Sequence, residues 1–410
     1  MANFGYNSMK KLLLLLSIVL TGCGGGGSSD PSSTTSTAKA ESKPVITCLI
    51  SSTIAPAGYT GSYAIPTPTK RLVTTIQRSV GIKDYYPDNK CKYAAELDKL
   101  QTLGVDRIWV YNYGVWDDFN KPVWTIDNTS WQIPKESFTY LVTEAKKRNI
   151  KVFLALQFTA FDNQGTMLPF GVDISSALLQ KMLDSHHSAI VDYAKYGESI
   201  GLAGISIDWN AFYIKNWYDY PDQWATNMVS IANDIRSNFS GVITYGQIGS
   251  PHYDTRIYNV VDELHIHLAP RLTQIENANI SVSLLRDKFT DLINQFYIDY
   301  HQTSKPIIWE ISVQSRDKYF TEGWVEDGFC VNNCIQNSYV TDFSIQAMGI
   351  EAALEAIAMQ NKFTTKSVDF HTSYWHTDTM TPGSEGFPNL SQSIRGKPAE
   401  NIVKYWFSRG

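Results

Sequence analysis

The sequence predicts an α/β fold, specifically a (β/α)8 barrel of the TIM type. Three observations carry that expectation. From about Arg71 onward, short apolar runs alternate with amphipathic stretches whose apolar residues recur every three or four positions. About eight such units fit into roughly 340 residues, the size at which parallel strands and crossover helices close on themselves. No G-x-G-x-x-G or P-loop motif opens a helix, which removes the nucleotide-binding reason for the rival doubly wound open sheet.

The elements follow in chain order. Lys10 and Lys11 precede the apolar "LLLLLSIVL" and then Leu20-Thr21-Gly22-Cys23, with Met9 opening the complete run "MKKLLLLL". A charged start, an apolar stretch too short to span a bilayer and a small-residue cleavage site make residues 1–23 a secretory signal. The "LTGC" resembles the bacterial lipobox, which implies cleavage before Cys23 and lipid attachment to its thiol. The expected location is therefore the cell envelope, anchored in a membrane by lipid. Gly24 resembles an outer-membrane retention signal, facing the periplasm or the exterior. Residues 24–44, rich in Gly, Ser and Thr without apolar periodicity, read as a flexible tether.

The body, residues 45–410, starts with an extension over 45–70. Strands are expected at "RLVTTIQRS", "DRIWVYNYGVW", "IKVFLALQF", "LAGISIDWN", "GVITYGQIG", "VDELHIHLAP", "KPIIWEISVQS" and "SVDFHTSYWH". Helices are expected at "CKYAAELDKLQTLGV", "ESFTYLVTEAKKRN", "ALLQKMLDSHHSAIVDYAKYGESIG", "WATNMVSIANDIRSNF", "LLRDKFTDLINQFYIDYHQ", "FSIQAMGIEAALEAIAMQN" and "PAENIVKYWFS". Export suits the cysteines. Beyond Cys23 there remain Cys48, Cys91, Cys330 and Cys334, an even set in an oxidising compartment. Cys330 and Cys334 are close enough to pair within one loop, leaving Cys48 for Cys91; the other two connectivities stay open.

Composition narrows the function. A formal net charge of −5 with no basic block excludes nucleic acid as the expected partner. An aromatic content of 13% suits stacking on the apolar faces of sugar rings, and equally the filling of a core.

In a barrel of this kind chemistry sits at the C-terminal strand ends. Side chains alternate along a strand, so Ile308, Glu310 and Ser312 share one face of the seventh strand, and Ile307, Trp309 and Ile311 share the helix-facing one. Glu310 is therefore expected in the barrel mouth. The same test on the fourth strand turns Ser206, Asp208 and Asn210 inward. Two carboxyl groups converging on one mouth are what glycoside hydrolysis needs, one as acid and the other as nucleophile or charge stabiliser. Further candidates at strand ends are Tyr113 on the second, Gln157 on the third, Tyr245 and Gln247 on the fifth and His267 on the sixth. Trp375 on the eighth would suit stacking against a sugar.

At these residues the chain resembles the clan A glycoside hydrolases, especially the family 113 endo-mannanases. The resemblance rests on "KPIIWEIS" as the nucleophile strand, "QAMGIEAALEAI" as the helix after it and "RGKPAENIVKYWF" as the closing helix. It implies hydrolysis of a β-linked polysaccharide without a cofactor, with Glu310 as nucleophile, Trp375 as aromatic platform, and His267 or Tyr245 orienting Glu310. One position departs. The acid/base glutamate of that clan falls on Asn210, which cannot deliver a proton, and Asp208 lies two residues earlier on the same face.

Two other readings stay open. A degenerate barrel could bind glycan at the surface without cutting it. A metal-dependent hydrolase could use His265, His267, Asp369, His371 and Asp208, although no HExxH motif is present.

Overall fold

Every apolar run read from the sequence yields a strand, and the hydrogen bonding joins them into one ring. The computed structural model describes residues 61–83, 90–118, 121–125, 133–158, 175–208, 219–246, 254–269, 279–300, 304–322, 340–370 and 391–409. The strands are β1 (Gln77–Lys83), β2 (Arg107–Asp118), β3 (Lys121–Thr125), β4 (Lys151–Phe158), β5 (Gly204–Ser206), β6 (Val242–Tyr245), β7 (Glu263–Leu268), β8 (Ile307–Ile311) and β9 (Thr365–Phe370). The nine-stranded sheet runs β1-β9-β8-β7-β6-β5-β4-β2-β3, and β1 also pairs with β2, so it closes. Among the described strands only β3 is antiparallel, folded back on the long end of β2 as a hairpin. The remaining strands are parallel and form the barrel, in which β5, β7, β8 and β9 are the fourth, sixth, seventh and eighth staves.

Helices fill the crossovers: α1 (Lys90–Leu103), α2 (Lys135–Lys147), α3 (Ser176–Ile200), α4 (Pro221–Arg236), α5 (Thr255–Val260), α6 (Val282–Tyr300), α7 (Tyr319–Glu322), α8 (Phe343–Met359) and α9 (Pro398–Phe407). Among the described residues no helix is long and apolar enough to cross a membrane. Besides β3 and the four-residue α7, which the sequence reading did not expect, two features differ from it. The first strand begins at Gln77 rather than Arg71, because the preceding residues serve as a clasp: Leu72 donates its N–H to Trp406 O at the end of α9, and Arg78 reaches back to the carbonyls of Ile76 and Leu72. The unit between β6 and β7 carries α5, six residues long, too short to show an amphipathic period.

Alternation along the strands separates two cores. Ile108, Val110, Val152, Leu154, Ile205, Ile243, Leu264, Ile266, Trp309 and Val368 face outward into the main apolar layer beneath the helices. Trp109, Tyr111, Phe153, Ala155 and Ile308 form a smaller cluster inside the ring. Gly204 is part of that inner fit: a Cβ there would stand 2.2 Å from the Phe153 ring, so the absent side chain is the space Phe153 occupies.

An ion pair crosses the N-terminal end of the barrel. Arg107, opening β2, donates from Nη1 to Glu263 Oε2 at 2.8 Å, and Glu263 opens β7 on the far side of the ring. The guanidinium lies 3.5 Å over the Phe153 ring. On the outside, α8 is almost wholly buried between barrel and neighbours, and its Glu351 accepts a 2.7 Å hydrogen bond from Trp406 Nε1 on α9. Asp342 caps α8 and also accepts Ser62 N–H at 3.1 Å, which ties the N-terminal strap to the last quarter of the barrel.

Candidate active site

The site is built where β5, β7, β8 and β9 end. On β8 the outward Trp309 donates to Thr365 Oγ1 at 3.1 Å, and the inward Glu310 is wholly buried inside the ring. Neighbouring strands present imidazoles to it. His265 Nε2 on β7 stands 2.7 Å from Glu310 Oε2, and His267 Nε2 stands 3.7 Å from Oε1. Asp369 is the register partner of Glu310 on β9, also fully buried, with Oδ2 3.9 Å from His265 Nε2. His265 thus lies between two carboxyl groups. Its ring also packs 5.5 Å from that of Trp109 in the inner cluster.

Asp208 follows β5 directly and is buried in the mouth. Ser206 Oγ donates to its Oδ1, and the backbone N–H groups of Asp208 itself and of Gly246 favour its charged form. Gly246 has φ 102°, and a Cβ there would meet the His265 carbonyl at 2.5 Å, so glycine is required where this N–H is presented. Burial pushes Asp208 up to about 7, against the opposing pull of Ser206, His265 and the two amides. Burial likewise pushes Asp369 up to about 7; His265 acts against it and the adjacent Glu310 adds to it.

These shifts carry a pH signature. A carboxyl with a raised folded-state pKa holds its proton in the native protein at pH values where the unfolded chain has released it. Its contribution to stability is complete below about pH 4 and is lost as pH rises through about 7. Stability measured by urea unfolding is therefore expected to fall between pH 5 and pH 8, by on the order of a few kcal/mol per group. Asp208→Asn is expected to flatten that slope. A stability that rises over this window in the wild type would overturn the assignment.

The residues expected at the site fare differently. Glu310, Asp208 and His267 are brought to the C-terminal mouth, and His267 is the partly exposed member, at 29% of its side chain. Tyr245 is a correction: it points out of the barrel, is buried in the helix-facing layer, and accepts a 3.0 Å hydrogen bond from Trp224 Nε1 on α4. On β6 the inward parity belongs to Thr244 and Gly246, so the Tyr245 ring cannot orient Glu310. Tyr113 and Gln157 are register partners on β2 and β4, with side chains outside the described residues. Asn210, Gln247, Trp375, His371, Cys23, Cys48, Cys330 and Cys334 also lie outside them, as do the signal and tether, and Cys91 is on α1 with its side chain likewise outside.

Two participants carry more weight than the sequence assigned them. His265, and not only His267, contacts Glu310, and Asp369 stands beside it. The signal was present in "ELHIH" and "SVDF", where both residues fall on the inward parity, but distance between strands is not visible in a sequence. The ligand atoms of His265, Glu310 and Asp369 lie within 4.8 Å of one another. Ligands of a tetrahedral zinc ion stand about 3.4 Å apart. The 2.7 Å between His265 Nε2 and Glu310 Oε2 is shorter than that separation.

No protein-family model and no curated protein sequence matches the chain. Solved structures do match its fold. A GH113 beta-1,4-mannanase, solved as a complex, has a TM-score of 0.57 at 14% identity, over 81% of this chain and 98% of that one. The GH113 beta-mannanase of Alicyclobacillus acidocaldarius, in complex with ManMIm, has a TM-score of 0.56 at 15% identity, over 81% and 96%. The endo-1,4-beta-D-mannanase of Thermotoga petrophila RKU-1, with maltose and glycerol, has a TM-score of 0.50 at 10% identity, over 81% and 99%. At these identities the likeness is one of fold: the chain has the closed (β/α)8 architecture of these mannanase structures, as the resemblance in its sequence implied.

Proposed function

We propose that the protein is a glycoside hydrolase acting on a β-linked polysaccharide or oligosaccharide. The observation that carries this reading is the pairing of two unlike carboxyl groups at one barrel mouth. Asp208, pushed up to about 7 by burial, retains a proton near neutral pH, as a general acid must. Glu310 is held against His265 at 2.7 Å. The structural neighbours are mannanases, which favours this substrate class. In the proposed reaction Asp208 protonates the glycosidic oxygen as the bond to the anomeric carbon breaks. Glu310 faces the developing positive charge on the other side of the sugar and, in a retaining course, forms the glycosyl ester. Water then cleaves that ester, with Asp208 taking the proton. Retention needs the carboxyl groups about 5–5.5 Å apart, and inversion a gap of about 6.5–9.5 Å. No metal or cofactor enters the scheme. The envelope location and the lipid on Cys23 belong to the same proposal: a tethered enzyme held beside polymeric substrate.

The test is release of new reducing ends from β-mannans, β-glucans and related glycans by the purified protein. Hydrolysis is expected, with activity declining on the alkaline side of about pH 7 as Asp208 loses its proton. Binding to one of these glycans without any cleavage would replace the hydrolase with a glycan-binding surface barrel.

A further inference from the structure

Asp208 stands just beyond the last ladder bond of its strand. β5 is three residues long, and its pairing with β6 ends where Ile207 donates its N–H to Thr244 O at 3.0 Å. The sheet thus fixes the backbone as far as Ile207 and leaves the Asp208 carboxyl to be oriented by other contacts. A general acid free to turn about its own side-chain bonds is aimed correctly only part of the time. Misplacing a reacting group by about 1 Å can cost on the order of 10²-fold in rate.

Ser206 supplies such a contact. It closes β5, its register partners are Ala155 on β4 and Thr244 on β6, and all three are wholly buried. Lying two positions before Asp208, it shares the inward face of the strand. Its Oγ donates to Asp208 Oδ1. A hydroxyl carried on a rung paired on both sides is a fixed point in the closed barrel, against which the looser carboxyl can be set.

We propose that Ser206 is a positioning residue for Asp208: its hydroxyl holds Oδ1 toward the strand, so that the other oxygen, Oδ2, carries the proton and offers it to the glycosidic oxygen. This rests on the reading of Asp208 as the general acid. An oxygen that accepts from a hydroxyl is the carbonyl-like one of a neutral carboxyl, which leaves the proton to its neighbour. In the reaction the O–H bond of Asp208 breaks as a new O–H bond forms on the glycosidic oxygen. The bond from that oxygen to the anomeric carbon breaks with its electron pair going to oxygen. The leaving sugar departs as an alcohol, and Asp208 becomes a carboxylate. The Ser206 contact then joins a neutral donor to a charged acceptor and strengthens, so it is worth more in the transition state than before it. The backbone N–H groups of Asp208 and Gly246 act in the same direction. The Ser206 hydroxyl differs from them in belonging to a side chain, so it can be removed alone.

The experiment compares the full chain with Ser206→Ala and Asp208→Asn on two substrates of the same sugar. One is the β-mannan or β-glucan that the wild type cleaves best, whose leaving sugar needs a proton. The other is a 2,4-dinitrophenyl β-glycoside, whose phenolate leaves without one. The quantity measured is kcat/KM, which reports the bond-breaking step even where a later step limits kcat. Ser206→Ala is expected to lose about 10- to 100-fold on the glycan, and at least about tenfold less on the aryl glycoside. Asp208→Asn is expected to show the same pattern with a wider gap, about 100-fold or more. Equal losses of Ser206→Ala on both substrates are the mark of a merely structural residue and overturn the proposal, as does an unchanged kcat/KM on the glycan. The Asp208→Asn arm separates the two claims. A gap there with none for Ser206→Ala removes Ser206 alone. No gap for Asp208→Asn, or a wild type that cuts neither substrate, removes Asp208 as the acid and the role of Ser206 with it.

Discussion

Glu310→Gln is expected to lower glycan turnover by about 10⁴-fold or more, with glycan affinity changed only a few-fold. The amide has nearly the shape of the carboxylate, so the packing on β8 survives, and its oxygen still stands beside the imidazoles on β7. Lost are the charge opposite the oxocarbenium-like centre and the atom that would form the glycosyl ester. Steady-state kinetics with calorimetric titration of a non-hydrolysed fragment separates the two effects. Turnover within tenfold of wild type would remove Glu310 from the chemistry. A loss of affinity as large as the loss of turnover would make it a binding residue instead.

The second large effect concerns stability. Arg107→Met is expected to cost about 3–5 kcal/mol, because it leaves Glu263 charged and unmatched across a barrel floor that excludes water. Lys366 Nζ, 3.6 Å from Glu263 and partly exposed, offsets some of that cost, which places the expected value toward the lower end of the range. The double variant Arg107→Met with Glu263→Gln should recover much of the loss, since a neutral amide is far cheaper to bury than a carboxylate. Urea unfolding of both single variants and the double variant gives the coupling directly. Single variants within 1 kcal/mol of wild type would mean that water or local rearrangement already shields this pair.

What sequence periodicity settles is local. Alternation in "IIWEI" and "GISID" is enough to turn Glu310 and Asp208 away from the helices, because successive side chains on a strand must take opposite faces. The same rule, applied with care to "VITYG", turns Tyr245 outward. Its expected role at the site came from the fold resemblance and its place at a strand end, and the hydrogen bond from Trp224 shows where that ring belongs. α5 leaves no signature in the sequence because six residues are fewer than two helical turns, and no periodicity develops over that length.

Partnership between strands was not legible. Arg107 and Glu263 are 156 positions apart in sequence, and nothing in either segment announces the other. Which imidazole of "HIH" touches Glu310 depends on the stagger of β7 against β8, where His267 and not His265 is the register partner, yet His265 makes the shorter contact. By itself, then, the amino-acid order determined the repeat, the closed barrel and the inward facing of its acidic groups, since each follows from short-range periodicity and chain length. Only the tertiary structure decided that His265 is shared between Glu310 and Asp369 and that burial leaves Asp208 a proton near pH 7. Distances across the ring and exclusion of water are properties of the closed barrel, and no single strand possesses them.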